Sequence, residues 1–259
     1  MSIKSETDAI LNKYQINIKK KYGQNFLIND EIVKGIIEAI NSQYNIVEIG
    51  AGIGTLSQRL KSKKKVYSFE IDLELKKVLQ NIENVNFIYE DYLLNKEEFN
   101  DFIIVGNLPY LITNKCLEKF ISYSELPKQI IIMIQSEVAD KYLFKVSKKD
   151  NLPLALIYSY YYNCQELLSV SPECFMPQPN VYSKVIKFEI KENKKNLKLE
   201  EIIKVCFLNR RKTIYNNLDN YFKDKEKVKD LLEKAKIDSH KRAEELSLKD
   251  FERLVNEIN

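Results

Sequence analysis

A chain of 259 residues, 44% hydrophobic and 30% charged, is long enough to bury one large core and a smaller one, which excludes a disordered or fibrous protein. No apolar stretch approaches the roughly 20 residues a membrane-crossing helix needs. The start Met1-Ser2-Ile3-Lys4-Ser5-Glu6 has neither a signal core nor a transit-peptide composition, so a cytoplasmic protein without a membrane partner is expected.

From Asn45 to Gln135, apolar runs alternate with amphipathic segments. Ile46–Ile49, Val66–Ile71, Val85–Tyr89, Phe102–Val105 and Ile130–Ile134 predict buried strands. Between them, Leu56 with Leu60, then Leu73, Leu75, Val78 and Leu79, and the segment 113–122 predict helices. This alternation predicts an α/β fold with a doubly wound, Rossmann-like parallel sheet. Further on, Leu154–Tyr162 and Val181–Ile190 read as β-rich and predict an antiparallel edge, separated by a proline-containing loop over 171–180. The polar run from Lys191 to Asn196 reads as a linker, and Val228, Leu231, Leu232 and Ala235 have helical spacing beyond it. The expected organisation is one domain over 1–190 and a small helical one over 191–259. The second segment carries 18 Lys and Arg against 14 Asp and Glu, the whole of the net +4. That imbalance suits a nucleic-acid-docking module, and a solvated helical face explains it nearly as well.

The chemistry-bearing residues fall at strand ends. Glu48-Ile49-Gly50-Ala51-Gly52-Ile53-Gly54 follows the first strand and is expected to open a helix. Its G-x-G-x-G spacing departs from the dinucleotide fingerprint, which needs glycine where Thr55 stands, and favours S-adenosylmethionine over NAD. Glu70, followed by Ile71, ends the second strand, where a carboxylate can accept both ribose hydroxyls. Asp91, followed by Tyr92, ends the third and can accept an adenine amine, with Glu90 as the alternative. Asn107-Leu108-Pro109-Tyr110 after Phe102–Val105 suits methylation of an exocyclic base amine, a poor nucleophile whose lone pair is delocalised. The Asn107 amide oxygen and the next backbone carbonyl can accept both N–H bonds, with Pro109 rigidifying the turn and Tyr110 offering a face to the base. An ordinary strand-to-helix turn carries the same tetrapeptide. Four dispersed cysteines and the lone His240 form no ligand pattern, so no metal is expected.

These residues, with Tyr22-Gly23-Gln24-Asn25-Phe26-Leu27, Phe175-Met176-Pro177-Gln178-Pro179-Asn180-Val181 and Asn209-Arg210-Arg211-Lys212-Thr213, resemble the KsgA-type (RsmA) small-subunit ribosomal RNA adenine dimethyltransferases over nearly the whole chain. The resemblance implies a class I S-adenosylmethionine-dependent methyltransferase domain and a helical C-terminal domain. It implies N6,N6-dimethylation of two adjacent adenosines near the 3′ end of 16S rRNA, with S-adenosylhomocysteine as product and a role in small-subunit biogenesis. The partner is then the small ribosomal subunit or its precursor, met by a monomer.

By the same resemblance Gln24, Asn25 and Leu27 join Glu48, Gly50, Gly52, Glu70, Ile71, Asp91, Tyr92 and Asn107 around the cofactor. Asn107 and Leu108 serve the target amine, and Tyr110 and Phe175 sandwich the adenine. Lys20, Lys21, Arg210, Arg211 and Lys212 are candidate RNA contacts, as are the rest of the runs Lys19–Lys21 and Lys61–Lys65; a solvated charged face is the alternative for each. Two positions depart from the family pattern: Leu111 where Asn is common, and Ser136 where Lys is common. The competing readings are a 23S rRNA methyltransferase of the erythromycin-resistance type, a largely non-catalytic assembly factor, and a DNA adenine methyltransferase, which usually carries Asp in place of Asn107.

Overall fold

Apolar, β-branched runs build the central strands of this protein, seen in a computed structural model that describes residues 1–60, 64–143, 152–192 and 194–258. Helix α1 (Ile3–Lys13) begins where the Ser2 hydroxyl accepts the Ser5 N–H. Strand β1 (Phe26–Leu27) leads to α2 (Asp30–Ala39), capped by the Asn29 side chain on the Ile32 N–H and burying Ile32, Val33 and Ile36. Then come β2 (Asn45–Ile49), β3 (Val66–Phe69), the single turn α3 (Lys76–Leu79), β4 (Asn86–Ile88), β5 (Phe102–Asn107), α4 (Thr113–Ser122), β6 (Gln129–Gln135) and α5 (Ser136–Leu143). The remainder is α6 (Pro153–Tyr161), β7 (Tyr162–Val170), β8 (Phe175–Met176), β9 (Ser183–Ile190), α7 (Leu197–Phe207), α8 (Ile214–Phe222), α9 (Lys225–Lys234) and α10 (Leu248–Ile258).

Seven strands form one sheet in the order β4-β3-β2-β5-β6-β9-β7. The first five pair in parallel, and β9 runs antiparallel to β6 from Gln129 opposite Glu189 to Gln135 opposite Ser183. Ile103, Ile104 and Val105 of β5 and Ile130, Ile132 and Ile134 of β6 are fully buried, as expected for central parallel strands covered on both faces. The strand order reverses between β2 and β5, so the loops leaving those two strands diverge and open a crevice. Strands β1 and β8 form a separate antiparallel pair, Phe26 opposite Met176 and Leu27 opposite Phe175.

The backbone divides into two compact units. One comprises Met1–Ala139 and Cys164–Ile190, the other Asp140–Asn163 and Lys191–Asn259. The chain passes between the units at 139/140, 163/164 and 190/191, whereas the expected division had 1–190 as one domain and 191–259 as the other. In the second unit Asn196, Thr213 and Asp224 cap α7, α8 and α9, and Phe207, Leu218, Leu232, Phe251 and Leu254 are buried.

Three expected elements differ. Leu154–Tyr162 is mostly helix α6 rather than strand. Pro153 occupies its first turn, and Leu156, Ile157, Tyr158 and Tyr161 are all buried, so a helix apolar on most sides mimics a strand's continuous apolar run. The edge strand β7 begins only at Tyr162. The glycine loop opens no α-helix: Gly52 and Gly54 take φ of 58° and 86°, and the chain makes turns and one 3-10 turn at Ser57–Arg59. Between β3 and β4, Leu73–Leu75 is a 3-10 turn before α3, with Leu73 exposed.

Candidate functional site

A cavity of about 360 Å³ lies at the carboxyl ends of β2, β3, β4 and β5, and every residue lining it belongs to the first unit. The size suits a nucleoside-bearing ligand. Gln24, Asn25, Leu27, Glu48, Gly50, Gly52, Glu70, Ile71, Asp91, Tyr92, Asn107, Leu108 and Tyr110 all line it. Gly50 and Gly52 turn the chain with φ of 76° and 58°, a conformation that costs glycine little.

The Gly52 N–H donates to Glu70 Oε2 at 2.7 Å and the Asp72 N–H to Oε1 at 2.8 Å, fixing the carboxyl plane. Burial to 7% exposure outweighs these bonds and pushes the Glu70 pKa up to about 7. Each oxygen retains a lone pair for a further donor. Glu48, 1% exposed, accepts the hydroxyls of Ser57 and Ser68, both at 2.6 Å, and burial raises its pKa as well. Asp91 accepts the Leu93 N–H at 2.9 Å, which shapes the turn after β4.

At the other end of the cavity the Asn107 Nδ2 donates to the Asn25 backbone carbonyl at 2.9 Å. That bond assigns Oδ1 as the acceptor still available. The Leu108 N–H bonds the Met133 carbonyl, while its own carbonyl accepts no hydrogen bond among the described residues. A Cβ on Gly23 would lie 3.3 Å from the Pro109 Cβ, so the turn before Gln24 packs directly on the Asn107–Tyr110 segment. The Tyr110 hydroxyl and Ser183 Oγ share a hydrogen bond of 2.8 Å, and burial raises the Tyr110 pKa.

Phe175 is a correction. Pairing of β8 with β1 buries it to 2% exposure, in a cluster with Leu27, Val33, Ile36 and Val185, and it does not line the cavity. Lys19 is another. Its Nζ lies 2.6 Å from Asp72 and 2.7 Å from Glu74, so it is committed to carboxylates rather than offered to phosphate, and these bonds raise its pKa. Burial alone would raise the Asp72 pKa; the Lys19 and Gln24 bonds, the latter from Gln24 Nε2 at 2.8 Å, hold it low. Of the lysine run, exposed Lys21 lines the cavity and Lys20 does not. Lys61 and Lys63 lie outside the described residues, and Lys64 is 4.0 Å from Asp101. Arg210, Arg211 and Lys212 are exposed on the second unit, with Arg210 3.4 Å from Glu244. Sequence reading passed over Asp72 and Ser183. Asp72 stands two residues after Glu70, where alternation past a strand end returns a side chain to the same side, and that spacing was the available signal.

The ribosomal RNA adenine dimethylase family matches residues 15–259. The chain belongs to this family. Ribosomal RNA small subunit methyltransferase A of Staphylococcus aureus strain Newman is 37% identical, with 98% of this chain and 94% of that protein covered. A dimethyladenosine transferase from Plasmodium falciparum superposes with a TM-score of 0.74 at 25% identity, covering 88% of this chain and 95% of that one. The 23S rRNA methyltransferase ErmE shares the fold at a TM-score of 0.68 and 20% identity, covering 90% and 99%. As a member of the rRNA adenine dimethylase family the protein is an S-adenosylmethionine-dependent methyltransferase with a Rossmann-like sheet. Among the described residues no cluster of three or more metal-ligating side chains occurs, and no helix is long and apolar enough to cross a membrane.

Proposed function

We propose that this protein dimethylates N6 of two adjacent adenosines near the 3′ end of small-subunit rRNA, on the small subunit or its precursor. The observation that carries the reading is the Asn107 to Asn25 bond, which leaves Asn107 Oδ1 and the Leu108 carbonyl as two acceptors beside a nucleoside-sized cavity. The 37% identity to a small-subunit methyltransferase supports the choice of rRNA.

Glu70 receives the ribose hydroxyls, Asp91 the adenine amine, and Gln24, Asn25 and Leu27 close the methionine end. When bound, S-adenosylmethionine supplies a methyl group already activated by its sulfonium charge. Asn107 Oδ1 and the Leu108 carbonyl accept the two N–H groups of the target amine, holding its lone pair out of conjugation and in line for attack. Tyr110, fixed by Ser183, offers its ring to the base. The nitrogen is acidic once methylated and loses its proton to solvent, so none of these residues has to act as a strong base. Arg210, Arg211 and Lys212 of the 191–259 segment contact rRNA phosphates.

The test is transfer of labelled methyl from S-adenosylmethionine to unmethylated small subunits, large subunits and a DNA duplex, with Asn107→Ala as control. Label recovered as N6,N6-dimethyladenosine in small-subunit rRNA is expected. Label in large subunits or DNA would overturn the substrate assignment, and no label in any would overturn catalysis.

A further inference from the structure

Lys119 projects from α4, the helix that follows the Asn107–Tyr110 segment. Its Nζ donates to the backbone carbonyl of Tyr92 at 2.6 Å and to that of Asn95 at 2.5 Å, and it sits 4.6 Å over the Tyr92 ring. Glu97, Glu98 and Glu118 line the same surface groove, yet Lys119 forms no ion pair among the described residues. A flexible ammonium with carboxylates nearby is instead committed to two main-chain oxygens. Those oxygens belong to the turn that begins at Asp91, whose carbonyl accepts the Leu94 N–H and whose carboxylate accepts the Leu93 N–H. Tyr92 is 3% exposed and its hydroxyl bonds that of Tyr123 at 2.9 Å. The turn is therefore held by Lys119 at the Tyr92 and Asn95 carbonyls and by burial of the Tyr92 ring, and the Leu93 N–H holds the Asp91 carboxylate beside the cavity.

We propose that Lys119 is a positioning residue for adenine recognition, fixing the 91–95 turn so that Asp91 meets the exocyclic amine of the cofactor. The proposal rests on the assignment of Asp91 given above. The residue that fixes the adenine turn thus stands on α4, the helix that follows the target-base segment.

Calorimetric binding of S-adenosylhomocysteine and of S-inosylhomocysteine, which carries a carbonyl in place of the amine, separates positioning from general folding. The full chain is expected to prefer the adenine form by at least about tenfold, the worth of one charge-assisted hydrogen bond. Lys119→Met should shrink that preference about tenfold, whereas Lys119→Arg, which keeps charged donors, should hold it within about threefold. If Lys119→Met does not fold, Lys119→Gln is judged by the same ratio, with an intermediate loss expected. A ratio unchanged in the folded variants, even with both affinities reduced, would overturn the positioning role. No preference in the unsubstituted protein, or one that survives in Asp91→Ala, would instead overturn the Asp91 assignment, and the role of Lys119 with it.

Discussion

Replacing Glu70 by Gln should flatten the pH dependence of stability. The folded protein, without cofactor, holds this carboxyl near pKa 7 against an ordinary value of 4.5, chiefly through burial. Below about pH 4.5 both folded and unfolded chains are protonated there, and the group contributes nothing. Between the two values the unfolded chain has released a proton that the folded chain keeps, so stability falls as pH rises. The loss is complete above about pH 7, where the gap amounts to about 3 kcal/mol at 1.36 kcal/mol for each pKa unit. Urea unfolding of both proteins at pH 5, 6, 7 and 8 measures it. The stability of the unsubstituted protein relative to Glu70→Gln should drop by about 2 to 3 kcal/mol from pH 5 to pH 8. Glu48 is also buried with a raised pKa, but it is present in both proteins and cancels in the difference. The same carboxylate must be ionised to accept two ribose hydroxyls, so cofactor affinity should fall up to about tenfold for each pH unit below 7, and the variant should bind weakly at every pH. Parallel stability profiles would refute the claim that burial strains this carboxylate.

Phe175→Ala should cost about 3–5 kcal/mol in urea unfolding, the usual toll of emptying an aromatic core position; a loss under about 1 kcal/mol would place the ring outside the core. Gly106→Ala would bring a Cβ to 2.6 Å from the Ile49 carbonyl oxygen, a backbone atom that cannot rotate away. Strain of about 1–3 kcal/mol is expected, and an unchanged Tm would contradict the close approach of β2 and β5. Double reversal to Arg210→Glu and Arg211→Glu should weaken binding to small-subunit rRNA and lower its log-log salt slope by about 2. An identical slope would remove these side chains from the interface.

The parts of this molecule most legible in the sequence are those whose chemistry is local. Glu48–Gly54, Glu70, Asp91 and Asn107–Tyr110 each sit where an apolar run stops, and strand ends in a parallel sheet converge on one crevice. Residues whose roles depend on a distant partner were less legible. Lys19 reads as one more lysine in a basic run until folding sets it between Asp72 and Glu74. Phe175 stands in a motif-like segment, yet whether its ring faces the cavity or the core is decided by the pairing of β8 with a strand about 150 residues away. The helix α6 was misread because Leu154 to Tyr162 is apolar at nearly every position, and period carries no information when nothing alternates.

The excursion over 140–163 has a practical consequence for anyone dissecting this enzyme. Helix α6 belongs to the second unit, where the Tyr161 hydroxyl donates to Glu200 at 2.8 Å and accepts the Asn196 N–H at 2.8 Å. A stop codon after residue 190 would delete both partners and is expected to expose the buried side chains of α6, so the fragment should sediment where the full chain stays in the supernatant. Removing the second unit means removing 140–163 together with 191–259 and rejoining Ala139 to Cys164.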